Sequence, residues 1–187
     1  MPWSRSQKIA LVGAFLCVGV GVFVWRFTSG VSGEVFIVTD SGKAIVMPGA
    51  AVRLLKVNEP QAHQIMSNLG KRLDAYASEI DEHMSMLKST PNELTMAHVK
   101  FANNLSATKY CLQLQTLGSE SGAQGQYLMG NAGRDGRFSL SATPGLYLLE
   151  VSGEAGNTHA EWFQIVRLGW REELRLVQPT CSYAQNQ

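Results

Sequence analysis

Residues 134–149 read RDGRFSLSATPGLYLL, and two turns are written into them. Asp135-Gly136 and Pro144-Gly145 are dipeptides that reverse a chain tightly, Gly supplying backbone angles that side chains resist. Between them, residues 137–140 alternate polar and apolar, and after them residues 146–149 form a short apolar run. Phe138 and Tyr147 are placed to enter one core from neighbouring strands. Outward from this stretch the same grammar repeats. Residues 126–129 precede it, while AEWFQIVRL at 160–168 and REELRLV at 171–177 follow. Near the other end lie EVFIVT at 34–39, AIV at 44–46 and AVRLLKV at 51–57. About seven short strands, separated by Gly and Pro turns, predict a mainly β sandwich.

The β grammar stops between 58 and 125. Ala62, Met66, Leu69, Leu73, Tyr76, Ile80, His83 and Leu87 are spaced alternately four and three apart, a heptad seam. Thr90-Pro91-Asn92 interrupts it, with Thr90 or Asn92 available as an N-cap. Leu94, His98, Phe101, Leu105, Thr108 and Leu112 then resume the spacing. Folding the chain back at Pro91 would oppose Leu87 to Leu94, His83 to His98 and Tyr76 to Leu105. The insert is therefore expected to be an antiparallel helical hairpin, followed by a flexible Gly/Ser loop at 118–125.

A third pattern opens the chain. Residues 9–25, IALVGAFLCVGVGVFVW, carry no charge. As a helix they span about 25 Å, close to the hydrocarbon thickness of a bilayer once flanking residues such as Phe27 are added. Trp3 and Trp25 sit at interfacial positions. The expectation is one N-terminal transmembrane helix at 9–27, after an N-terminal segment 1–8 and before a linker 28–33. Arg5 and Lys8 on one side against Arg26 on the other place the N-terminus in the cytoplasm and the bulk in the periplasm or outside the cell. A cleaved signal ending near Val31-Ser32-Gly33 is the alternative, opposed by the length of the apolar run. Gly13, Cys17 and Gly21 form a small-residue stripe where a partner membrane helix could approach.

Composition narrows function by exclusion. Sixteen Lys and Arg against fifteen Asp and Glu give a net charge of +1, so no field favours nucleic acid. No phosphate-binding glycine loop and no nucleophile elbow is found. No catalytic residue and no cofactor site is expected, and the chain is read as non-enzymatic.

The strand motifs resemble the carboxypeptidase regulatory-like, or transthyretin-like (prealbumin-like), β-sandwich. Pro48-Gly49-Ala50-Ala51-Val52 is similar to that family's PGA-x-V strand start. Asp135-Gly136-Arg137-Phe138 is similar to its DG-[KR]-F turn, and Pro144-Gly145-Leu146-Tyr147-Leu148 to its PG-x-Y hairpin. The resemblance covers residues 34–57 and 126–178, about 40% of the chain by these bounds. The long insert at 58–125 departs from it, and residues 179–187 are left as a C-terminal tail. What the resemblance implies is a scaffold for stability, adhesion or recognition.

Candidate sites follow. His83 and His98, in one expected hairpin layer, could hold a metal with help from Glu79 or Glu82, or sense pH. A polar layer that fixes register is the plainer reading. His63 and His159 are expected in solvent. Cys111 and Cys181 are candidates for a disulfide in an oxidising compartment, two separate thiols being the alternative. Ile65, Met84, Met86 and Met96 lie outside the seam and could form a contact surface, packing against the sandwich being the alternative. Trp162 and Trp170 could line a groove for glycan, peptidoglycan or peptide. The leading expectation is a membrane-anchored envelope protein whose sandwich is a scaffold and whose hairpin binds another envelope protein or a second copy.

Overall fold

The computed structural model describes residues 30–38, 42–122, 125–169 and 171–185. The membrane segment expected at 9–27, the residues before it, Gly13, Cys17, Gly21 and Trp170 lie outside these. Among the described residues no helix is long and apolar enough to cross a membrane.

Among the described residues nine strands and three helices follow one another: β1 (Gly30–Val38), β2 (Ala44–Val46), β3 (Ala51–Val57), α1 (Glu59–Ser89), α2 (Glu93–Leu114), α3 (Leu117–Glu120), β4 (Leu128–Asn131), β5 (Arg137–Ser141), β6 (Gly145–Ala155), β7 (Thr158–Leu168), β8 (Arg171–Leu176) and β9 (Cys181–Ala184). They build two sheets. In the four-stranded one, β1 pairs with β2 and β5 antiparallel and with β8 in parallel; the five-stranded one runs β4-β3-β6-β7-β9.

The Asp135 turn sits where the pattern puts it, whereas Pro144 makes a bend that carries the chain from one sheet to the other, so Phe138 on β5 and Tyr147 on β6 do not stand on neighbouring strands. Gly136 adopts φ 76°, and a Cβ there would come within 2.7 Å of the Val35 carbonyl oxygen, so only Gly fits. Asp135 Oδ1 accepts from the Arg137 N–H at 3.1 Å. The Tyr147 hydroxyl donates to the Thr143 carbonyl at 2.9 Å, pinning the bend to the strand it starts. Phe138 and Tyr147 both enter the core between the sheets.

Several boundaries differ from the expectation. Gly30 to Gly33, read as linker, form the start of β1. Residues 181–184, read as tail, form β9 at the edge of the five-stranded sheet. Both are too short or too glycine-rich to show a periodic signal of their own, and pairing partners decide them. The supposed flexible loop begins with α3, in which Leu117 and Gly118 are buried.

The five-stranded sheet is covered on both faces. One face packs on the other sheet through Val52, Leu54, Leu149, Val151, Trp162 and Val166. The opposite face packs on the helices through Leu55, Leu148 and Phe163 against Ile65, Tyr110, Leu114 and Leu117. Alternate residues of β6 and β7 therefore serve two different cores. The architecture is a three-layer stack, sheet on sheet on helices.

The hairpin forms, but α2 is turned. Asn58 caps α1 in a reciprocal capping box with Gln61, and Asn92 caps α2 by accepting from the Thr95 N–H at 2.8 Å. Tyr76 stacks on Tyr110, ring centroids 4.8 Å apart, and His83 Nδ1 meets Asn103 Oδ1 at 2.8 Å. Both partners lie five residues beyond those expected, Leu105 and His98. Five residues rotate a helix face by about 140°. Val99, Ala107, Tyr110, Cys111 and Leu114 are buried as a result, while Leu94, Phe101, Leu105 and Leu112 face solvent. On α1 the expected seam holds at Ala62 and Leu69 but not at Met66 or Leu73, which are exposed. The reason is competition. Helix α2 has two apolar faces, and the one carrying Tyr110, Cys111 and Leu114 fits the apolar outer face of the sheet.

Candidate interaction surface

The surface begins with what fixes α2 in its turned position. Cys111 of α2 and Cys181 of β9 form a disulfide, Cα atoms 5.7 Å apart and 70 residues apart in sequence. Two helical turns earlier, Asn104 Nδ2 donates to the Ala184 carbonyl at 3.0 Å. The Ala184 N–H donates back to Asn104 Oδ1 at 2.7 Å. The helix is thus tied covalently and by a paired amide along the free edge of β9.

Polar groups fasten the base of the hairpin. Glu150 and Glu161, on β6 and β7, are almost fully buried beneath it. Arg53 Nη2 lies 3.3 Å from the Glu150 carboxylate, and the Tyr127 hydroxyl donates to it at 3.1 Å. Burial pushes the Glu150 carboxyl above its ordinary range, Arg53 and Tyr127 draw it back, and the Glu161 charge raises it again. The Tyr127 phenol is pushed up to about 12, chiefly by burial and then by the Glu150 charge. Gln115 Nε2 donates to Glu161 Oε1 at 2.7 Å, and His159 Nε2 lies 2.9 Å from the same oxygen. Arg72 of α1 reaches the Gln113 carbonyl at the end of α2 and the Glu120 carboxylate of α3. That contact, with a hydrogen bond from Thr116, holds the Glu120 carboxyl below its usual range.

The turned helix leaves a stripe outside. Leu94 is 81% exposed, Phe101 61%, Leu105 60% and Leu112 53%. Four large apolar side chains on one helix face, this open, are not the scattered singles of an ordinary surface. Beside the stripe lies a hollow of about 510 Å³, lined by Phe101, Asn104, Leu105, Thr108, Tyr183, Ala184 and Gln185. Its walls are the helix on one side and the end of β9 on the other.

The candidate residues read from the sequence are scattered by this arrangement. His83 is bonded to Asn103 and His98 is exposed elsewhere on α2, so they do not share a layer. Among the described residues no group of three His, Cys, Asp or Glu could hold a metal. His159, expected in solvent, is mostly buried between Glu154 and Glu161, whereas His63 is exposed. Ile65 is 1% exposed and Trp162 3%, so neither offers a contact surface: Ile65 lies under the hairpin and Trp162 in the sandwich core. Met84, Met86 and Met96 do face solvent.

What the sequence reading missed is the pair of buried glutamates and the stripe itself. A signal for the first exists. Leu146, Leu148, Phe163 and Ile165 are apolar at positions that an exposed sheet face would fill with polar residues, the mark of a strand buried on both faces.

No family model matches the chain, and no curated protein matches it either. Among solved structures, a Pseudomonas aeruginosa protein described as a "putative carbohydrate binding protein" is similar over 82% of this chain and 90% of that one. Identity is 11% and the TM-score 0.36, a likeness that assigns neither a fold family nor a ligand.

Proposed function

We propose that the chain is a membrane-anchored envelope protein whose two-sheet domain is a scaffold and whose helical hairpin is a surface for assembly with protein. The single observation that carries this is the solvent-facing stripe Leu94, Phe101, Leu105 and Leu112, held outward by the disulfide and by Asn104. A helix that buries one apolar face on its own domain and displays a second is built to meet another macromolecule. The disulfide supports a location outside the cytoplasm, where such bonds persist, in agreement with the charge asymmetry around residues 9–25. The prealbumin-like reading of the sandwich belongs to the same proposal. Its support is that Phe138 and Tyr147, carriers of the resemblance, meet in one core between two sheets. The envelope location, the anchor and the absence of catalysis rest on the sequence patterns already given.

The test is photo-cross-linking in the cells that make the full chain. A photoreactive residue in place of Leu105 is expected to give protein adducts, and one in place of the exposed Gln164 on β7 none. Equal yields at both positions, or none at Leu105, would remove the proposal. Deleting residues 59–117 is the wrong test, since it would strip Leu55, Leu148 and Phe163 of their cover.

A further inference from the structure

The stripe on α2 has an internal symmetry. Leu94 and Leu112 lie equally far on either side of position 103, as do His98 and Thr108, and Phe101 and Leu105. Laid against a copy of itself running the opposite way, the helix opposes leucine to leucine, polar to polar, and phenylalanine to leucine. We propose that the partner of this surface is a second copy of the chain, bound through an antiparallel α2–α2 contact about a two-fold axis at position 103. This rests on the hairpin being the working surface.

Three features favour an identical helix over an unlike one. A two-fold contact requires a self-complementary patch, and the order apolar, polar, apolar, apolar, polar, apolar reads the same from both ends. The borders of the stripe carry Thr95, Ala97, Ala102 and Asn104, small or uncharged, so two copies can approach without like charges meeting. Lys109, the one cation on those borders, is already paired with Glu79 at 2.6 Å within its own hairpin. The hollow then receives a natural occupant: Phe101 of one copy, opposed to Leu105 of the other, lies over the space between Leu105 and Tyr183.

Magnitude sets the expected strength. From Leu94 to Leu112 the contact runs about 27 Å along helices about 10 Å wide. Its flat footprint, counted on both copies, is about 500 Å², below the roughly 1,200 Å² of a standard stable interface. The dimer is therefore weak for free domains and strong where anchors hold copies together. The experiment must read the full chain in its membrane.

Cysteine pairs do so, in a Cys17→Ser background with the native disulfide kept. In an antiparallel dimer position 98 of one copy faces position 108 of the other. His98→Cys/Thr108→Cys is expected to give a covalent dimer of twice the chain mass on mild oxidation. His98→Cys alone and Thr108→Cys alone are expected to give almost none. Adding Leu105→Asp should lower the linked fraction at least about tenfold, because the dimer would bury two unpaired carboxylates; an unchanged melting temperature shows that the fold is intact. Cross-linking by the single variants would overturn the antiparallel geometry, and no cross-link in any variant would overturn self-association. The photo-cross-links at Leu105 then separate the two proposals. Adducts to a different protein would leave the hairpin surface standing without the dimer, and no adducts would remove both.

Discussion

Asn104 and Ala184 are joined at both ends of one amide, Nδ2 to the Ala184 carbonyl at 3.0 Å and the Ala184 N–H to Oδ1 at 2.7 Å. The side chain presents to β9 the donor and acceptor that a neighbouring strand would present. An edge strand left open invites pairing with other chains, and here the helix closes it at that residue. Asn104→Ala is expected to cost about 1–2 kcal/mol, two hydrogen bonds at their usual net value. Asn104→Asp keeps only the acceptor and should leave the Ala184 carbonyl without its donor. Hydrogen exchange at the Ala184 amide should quicken in the Ala variant and much less in the Asp variant. Unchanged exchange in both would show that the pairing contributes nothing.

Cutting the disulfide should loosen the same junction more severely. A cross-link between residues 70 apart removes chain entropy worth about 4 kcal/mol from the unfolded state. Cys111→Ser/Cys181→Ser is expected to lower stability by up to that amount, read as an earlier urea midpoint with the slope also altered, since the unfolded chain expands. A midpoint that stays where it was would mean that the bond is idle.

The turned register of α2 can be checked with two aromatic truncations. Tyr110 is buried and stacked on Tyr76, so Tyr110→Ala should cost about 3–5 kcal/mol. Phe101 is exposed on the other face, and Phe101→Ala should stay within about 0.5 kcal/mol of wild type. The reverse order would mean that the helix sits as its heptad spacing alone suggests.

Glu150 gives the domain a definite pH signature. Its carboxyl is pushed above the ordinary value of 4.5, first by burial, so the folded state holds this proton more tightly than the unfolded state. The resulting stabilisation is fully present below the unfolded value and is lost as pH rises through the folded one. Glu79 and Glu120, both lowered, chiefly by hydrogen bonds from Lys109 and Arg72, act in the opposite sense on the acid side. Comparison of wild type with Glu150→Gln cancels them. Wild type is expected to lose stability relative to the Gln variant as pH climbs from 4 towards 8 in urea melts. A difference that does not move with pH would refute the assignment.

How far the sequence carried this reading can be judged residue by residue. The Asp135-Gly136 turn was legible because its chemistry is local, a backbone angle and a two-residue reach; that the chain changes sheet at Pro144 was not, because it depends on partners distant in sequence. The hairpin was legible because Pro91 and the heptads stand close together in the chain. The face of α2 was not, since heptad spacing says which residues share a face but not which face wins. That choice was made by Phe163, Leu148 and Cys181, residues distant in sequence, together with Tyr110 and Leu114. Strand β9 was hidden for the same reason: four residues, CSYA, become a strand only because β7 is beside them. The glutamates at 150 and 161 drew no notice because burial under the helices is decided by residues distant in sequence.

The order of strands carries one more consequence. Strand β1 lies inside its sheet and pairs from Gly30 to Val35 with β8, while β3 waits for β6 across the whole insert. The hairpin is locked only when Cys181 has been made, 70 residues after Cys111. Neither sheet can be completed, and the third layer cannot be fastened, until β8 and β9 have been made. Such long-range pairings slow folding and leave edges bare meanwhile. The domain is thus one that emerges open and shuts late, β9 acting as the latch, and every earlier segment must be kept from strangers until that latch is in reach.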